Sequence, residues 1–303
     1  MTAHVSGDFP SRGGAAVWER AVRTGLDALA GVCEAGGRGW CAGAACILEA
    51  AAAKPGNVHP GAAFDDLEHA ELVAAAIAIA PLLERAADVP LGRTIRAAVE
   101  ASGRVTRSNA NLGIVLAIAP LAAAVTPDRV AEPLARLGPA DAVDVWEAIA
   151  AARPGGLGTS DRHDVRAPPP PDLLAAMQAA ADRDQIARLW ATGYAELFAG
   201  PVADLAAEVA AGGPLDDAIV RTQLRQLARA TDTLIARRHG PAVAADVSRR
   251  AAEVLAAGGE WRGAAAAFDA TLRRPRRINP GTTADLVAAA LYILLCDGRI
   301  RLE

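Results

Sequence analysis

The feature that most limits what this chain can fold into is its hydrophobic period. Apolar residues recur every three to four positions in segment after segment, and no convincing run alternates apolar with polar. The first pattern lays an apolar stripe along a helix; the second, which a half-buried strand needs, is missing. Roughly a quarter of the residues are alanine, the strongest helix former. Aromatic residues make up only 4%. The chain therefore reads as all-α, a single globular unit of about a dozen helices over residues 1–303.

The period places helices over 17–33, 41–53, 65–87, 92–102 and 109–125, with two shorter ones reaching 152. A glycine-rich stretch, Gly155-Gly-Leu-Gly158, follows, and then Ala167 with four prolines, 168–171. Polyproline favours extended backbone and excludes helix, so 167–171 is the candidate hinge. Further helices read over 215–238, 242–257 and 282–296. Pro81 and Pro120 each fall late in an apolar helix. Each deprives the carbonyl four residues earlier, Ile77 or Leu116, of its amide partner.

Several function classes are disfavoured at this level. Net charge is −4 and the pI near 5.8, which argues against nucleic acid or an anionic membrane as the main partner. Cys33, Cys41, Cys46 and Cys296 form no CxxC pattern, which points to reduced thiols rather than zinc. The N-terminus lacks a basic stretch leading into an apolar core. The uncharged run 108–127 carries Pro120 and reads as a buried core helix. A cytoplasmic protein acting on small molecules is expected, without nucleic acid or membrane, and with a homodimer left open.

The most informative signal is a scarcity. Of 31 basic side chains one is lysine, Lys54, and the asparagines are Asn57, Asn109, Asn111 and Asn279. All five fall in three segments: Lys54-Pro-Gly-Asn-Val-His-Pro60, Ser108-Asn-Ala-Asn-Leu-Gly113 and Asn279-Pro-Gly-Thr-Thr-Ala-Asp285. Turns and helix caps use the same residue types, and both Asp65 to Glu68 and Thr282 to Asp285 have the form of a capping box. Concentration of the rare residues in three places points instead to one shared site. Arg273-Arg-Pro-Arg-Arg277 precedes the third segment and could serve as a solvated loop or as a polyphosphate clamp.

At these segments the chain resembles the triphosphoribosyl-dephospho-CoA synthase family. The family's Lys-Pro-Gly turn is matched at Lys54-Pro55-Gly56, and its following acidic position at Asp65. Its Asn-Thr-His-Lys-Gly stretch lines up with Asn109-Ala-Asn-Leu-Gly113. An Asp-Thr pair with a later arginine and glycine is matched at Asp232-Thr233, Arg238 and Gly240. The closing Pro-Gly-Gly-x-Ala-Asp-Leu resembles Pro280-Gly-Thr-Thr-Ala-Asp-Leu286. The His-Lys of the second motif is replaced by Asn111-Leu112, so a titratable group and a cation are missing there.

The resemblance implies an all-helical fold and transfer of the triphosphoribosyl group of ATP to a hydroxyl acceptor, dephospho-CoA or a related cofactor precursor, with adenine leaving. It implies a nucleotide site in which Lys54 and Arg238 meet phosphate, with Asp65, Asp232 and Asp285 on Mg²⁺. Asp65 or Asp66 would act as base. Asn57, Asn109 and Asn279 would orient sugar or adenine, with Gly56, His59, Asn111 and Thr282 completing the site. Two rival readings stand beside this one. Asp65-Asp66 suggests a Mg²⁺-dependent diphosphate enzyme, although a second aspartate-rich motif is absent. A non-catalytic helical scaffold or nucleotide-binding protein would use the same segments as turns alone.

Overall fold

A computed structural model describes residues 12–108, 111–152 and 167–302. Asn109, the 155–158 glycine loop, His4 and His163 lie outside the described residues. Helices dominate: α1 (Arg12–Ala30), α2 (Arg38–Ala51), α3 (His69–Glu84), α4 (Leu91–Val105), α5 (Leu112–Ala123), α6 (Ala131–Ala135) and α7 (Pro139–Ala152) form the first half. The second half comprises α8 (Leu173–Ala180), α9 (Gln185–Ala191), α10 (Ala195–Leu197), α11 (Ala203–Ala210), α12 (Leu215–Arg229), α13 (Thr233–His239), α14 (Pro241–Ala256), α15 (Trp261–Arg273) and α16 (Gly281–Cys296). Among the described residues the only β pairing is two isolated bridges, His59 with Ala62 and Phe64 with Leu67. The all-α expectation holds, with more and shorter helices than the apolar period separates.

Two helices make the centre. Residues 114–122 of α5 and 286–295 of α16 are buried without a break, as expected of helices apolar on every side. They pack together, and α2 packs against α16 and α3. No single helix among the described residues is long and apolar enough to cross a membrane. All four cysteines are free.

Pro120 lies inside α5, and the carbonyl it strands at Leu116 finds other donors. Trp190 Nε1 donates to Leu116 O at 2.9 Å, and Tyr194 Oη lies 3.2 Å from the same oxygen and 2.9 Å from Ala117 O. Both aromatic residues are almost wholly buried. At the other end of α5, Arg38 Nη1 donates to Ala122 O at 2.8 Å, placing a cation on the negative end of the helix.

Three boundaries differ from the sequence reading. The helix expected from residue 65 starts at His69, because 59–67 are taken up by two tight bridged turns, and the capping box is Glu68 with Glu71. The helix expected over 215–238 breaks after Arg229, where Asp232 caps a new one. Thr282 to Asp285 form no capping box, since α16 begins after Pro280 with no side-chain cap. Their side chains face other helices instead. In the proline segment, Ala167 O accepts from Trp146 Nε1 at 2.9 Å and Pro170 is buried.

Candidate functional site

The three segments that hold the rare residues meet in space through the members that are described. The Lys54–Pro60 turn reaches the start of α16 through Asn57, whose Nδ2 donates to Asn279 Oδ1 at 2.7 Å. Gln223 Nε2 of α12 donates to Asn57 Oδ1 at 2.5 Å and to Pro55 O at 3.3 Å. Gly56 has φ +80°, and a Cβ there would lie 2.7 Å from Pro280 Cδ, so only glycine fits against the third segment. Its amide donates to Asp269 Oδ1 at 2.7 Å.

The second segment meets the third at one point. A Cβ on Gly113 would stand 1.9 Å from Asp285 Oδ2, so the carboxylate lies directly on the backbone at the start of α5. The glycine of one motif is thus required by the aspartate of another. Beside it Asn111 is 2% exposed, and its Nδ2 has no hydrogen-bond partner among the described residues. Asp285 accepts no hydrogen bond from any described residue, although burial raises its proton affinity well above the ordinary carboxylate range. Glu49, Asp232 and Asp184 raise it further, and Arg237 opposes them. A carboxyl whose proton affinity is raised in this way is a candidate for proton transfer.

Lys54 is not on the surface. It is fully buried, and its Nζ lies 2.8 Å from Glu49 Oε1 with the Glu49 and Ala52 carbonyls also accepting from it. In place of the expected phosphate, its ammonium meets the Glu49 carboxylate and two backbone carbonyls at the end of α2. Its charge also bears on the two histidines nearby. His59 is held down at about 3, first by burial and then by Arg273, Lys54 and His69. His69 is lowered by burial and by Lys54, and its buried Nε2 has no partner among the described residues. Both imidazoles are therefore neutral near pH 7, with His59 Nδ1 accepting from the Gly61 amide at 3.2 Å.

Three helix starts are stitched to one another beneath this cluster. Asp232 is 1% exposed and caps α13 through the Ile235 amide at 3.0 Å. Its other oxygen accepts from Thr283 N at 2.7 Å and Thr283 Oγ1 at 2.8 Å. Asp184 caps α9 and pairs with Arg237 Nη1 at 2.6 Å. Gln185 and Thr233 exchange backbone-to-side-chain bonds, and Thr282 Oγ1 lies 3.4 Å from Thr233 Oγ1. The three carboxylates expected on Mg²⁺ do not come together as one group among the described residues. Asp232 is committed to backbone and hydroxyl donors, Asp65 is exposed, and no three His, Cys, Asp or Glu side chains among the described residues are placed to hold a metal ion.

Of the two residues expected as base, Asp66 is the less suited. Asp66 is exposed and ion-paired with Arg277, which pulls its carboxyl below the usual range, so it is a poor proton acceptor. Arg238 also lowers it, and His239 is lowered first by burial and then by Arg238 and Arg276. Arg273 and Arg277 stack on Phe64 at 5.5 and 4.3 Å, fixing this basic loop over the 59–67 turns. Asp65 is exposed on the same turns.

Sequence reasoning missed Glu49, His69, Gln223 and Asp269. Glu49 had a legible signal, since it precedes the sole lysine by five residues at the end of an otherwise apolar helix. Gln223 and Asp269 had none, because each comes from a distant helix with ordinary composition.

The family model described as ATP:dephospho-CoA triphosphoribosyl transferase matches residues 37–302. In structure the chain is similar to one described as a triphosphoribosyl-dephospho-CoA synthase of Archaeoglobus fulgidus, with a TM-score of 0.59 and 22% identity. That similarity covers 75% of this chain and 99% of the other. No curated protein sequence matches. The family match retires the scaffold and the diphosphate-enzyme readings. The matched span covers every segment that builds the cluster, and the chain belongs to the ATP:dephospho-CoA triphosphoribosyl transferase family, a family of transferases.

Proposed function

We propose that this protein transfers the triphosphoribosyl group of ATP to a hydroxyl of dephospho-CoA or a related acceptor, releasing adenine. The bond from ribose C1′ to the adenine nitrogen breaks, and a bond from C1′ to the acceptor oxygen forms. The acceptor's hydroxyl proton leaves, and the departing adenine takes up a proton. Such a displacement passes through an oxocarbenium-like state, which a nearby carboxyl group stabilises and a proton relay completes.

The observation that carries the reading is Asp285. It is a carboxyl of raised proton affinity, without a described hydrogen-bond donor, pressed on the glycine of a second family motif. We assign it the proton transfer. Asn111 has a donor to spare for substrate oxygen. Lys54 pairs with Glu49, whose charge raises the proton affinity of Asp285. Arg238, Arg276 and Arg277 supply the cationic rim for the triphosphate. Mg²⁺ enters as part of the substrate, on the phosphates, where Asp65 and Asp66 of the same rim would meet it. Mg²⁺ commonly takes one or two carboxylates and fills its shell with phosphate and water.

The test is incubation with ATP, Mg²⁺ and dephospho-CoA, followed by chromatography for free adenine. Adenine in stoichiometry with consumed ATP is expected, and Asp285→Asn should abolish it. Formation of ADP with a phosphorylated acceptor would sink the transfer mechanism.

A further inference from the structure

Asn57 is a hub of hydrogen bonds within the chain. Its amide donates to Lys54 O at 3.1 Å, its carbonyl accepts from Arg273 Nη2, and its side chain lies between Gln223 and Asn279. A carboxamide can face a neighbour with either end, so the series from Gln223 through Asn57 to Asn279 could run in either sense. Pro55 O decides it. That carbonyl only accepts, so the end of Gln223 that meets both it and Asn57 Oδ1 is the Nε2 amino group. Asn57 then turns its Nδ2 to Asn279 Oδ1, and Asn279 keeps its own Nδ2 as a donor at the end away from Asn57. That nitrogen sits over the first residue of α16, 3.9 Å from a Cβ built on Gly281.

Arg273 is held by the same residue. Its Nη2 reaches Asn57 O, its Nε donates to Asp269 Oδ2 at 2.7 Å, and its guanidinium lies 5.5 Å from the centre of the Phe64 ring. Nη1 is buried and has no acceptor among the described residues. A buried N–H without an acceptor is costly, and a guanidinium already clamped at two nitrogens has little freedom left to lose on binding. Charge favours an anion as the missing partner. Residues 273–277 include four arginines, and among the described residues two carboxylates pair with them, Asp269 with Arg273 and Asp66 with Arg277.

We propose that Arg273 Nη1 and Asn279 Nδ2, both set by Asn57, bind a phosphate group of a substrate. The proposal rests on the transferase reading for the substrates on offer, ATP with its triphosphate and dephospho-CoA with its diphosphate. Arg273 and Asn279 touch the phosphate oxygens. Gln223 and Asn57 are positioning residues, fixing which end of the Asn279 carboxamide is presented. A carbonyl in that place would repel the same oxygens, so the sense of the series is part of the site.

Calorimetric titration with inorganic triphosphate, ATP and dephospho-CoA tests it, each protein being held well below its Tm. Arg273→Lys keeps the charge and can still reach Asp269, but has no Nη1. Asn279→Ala removes the donor without adding charge. Loss of one hydrogen bond to a charged group weakens binding roughly tenfold or more. Such a loss in both variants for inorganic triphosphate and ATP, with dephospho-CoA unchanged, supports the site and gives it to ATP. The same loss for dephospho-CoA alone supports the site and gives it to the acceptor's diphosphate. Gln223→Met frees the series to turn over, and should weaken the same ligand by a smaller factor while leaving the other untouched. Wild-type affinity of Arg273→Lys for all three ligands overturns the proposal, as does equal weakening of all three, which a loosened turn would produce. A wild-type protein that binds none of them overturns it too. Adenine release from the wild type judges the transferase reading separately, because inorganic triphosphate carries no ribose to transfer.

Discussion

Lys54→Ala is the most informative single substitution, because it separates a buried ion pair from a phosphate ligand. The lysine is fully buried and its partner carboxylate is 8% exposed, with 2.8 Å between them. Removing the ammonium strands a charge in a site that already crowds Glu49 against Asp285. Breaking one side of a buried pair costs about 3–5 kcal/mol, mostly from the partner left without compensation. For a chain of this size that corresponds to a fall in Tm of about 5–8 °C. Differential scanning calorimetry without nucleotide reads it directly. Lys54→Met with Glu49→Leu removes both charges, and most of the loss should return, because apolar replacement of a buried pair is often neutral. Both variants should lose turnover, since Asp285 loses its tuned neighbour. An unchanged Tm for Lys54→Ala with a raised KM for ATP would refute this account and restore lysine as a phosphate ligand.

Two further outcomes follow. Asp285 has a folded-state proton affinity raised above its unfolded value. Its contribution to stability is therefore complete below about pH 4, the unfolded carboxyl range, and is lost as pH rises through the folded value. Asp285→Asn should flatten that decline in a Tm-against-pH series while abolishing turnover, and a decline of unchanged steepness would count against the burial argument. Tyr194→Phe removes the phenol from Leu116 O and Ala117 O, and should cost about 1–3 kcal/mol by denaturant titration. Adding Trp190→Phe, which takes the last side-chain donor from Leu116 O, should cost more than the sum of the singles; simple additivity would contradict the shared acceptor.

The helices were legible because burying one stripe, or every side, leaves a period in the sequence, as in α5 and α16. Boundaries were less so. The start of α3 was displaced by backbone bridges at His59 and Phe64 that no side-chain pattern announces. Clustering of the rare Lys and Asn residues singled out three segments, and the Asn57–Asn279 bond and the Gly113–Asp285 contact bring them together. Individual roles were not legible. Lys54 looks like a surface cation until Glu49 is seen beside it, and Asp232 looks like a metal ligand until the amides of Ile235 and Thr283 are counted. Side-chain type tells what a residue can bind, whereas burial and competing partners tell what it does bind.

Proline in a helix is usually reckoned as a loss, but Pro120 gives α5 a keyway. A regular helix offers its neighbours a smooth cylinder that can turn or slide by a residue at little cost. The notch at Leu116 breaks that degeneracy, because Trp190 and Tyr194 can dock at only one azimuth and one height. Three residues separate Leu116 from Gly113, so about 4.5 Å along the axis lies between the lock and the glycine that cradles Asp285. Pro120→Ala would restore an amide to compete for that carbonyl, and the helix would regain its freedom to creep. The position of the Asp285 carboxyl against α5 is thus set in part by an indole and a phenol one turn along the helix.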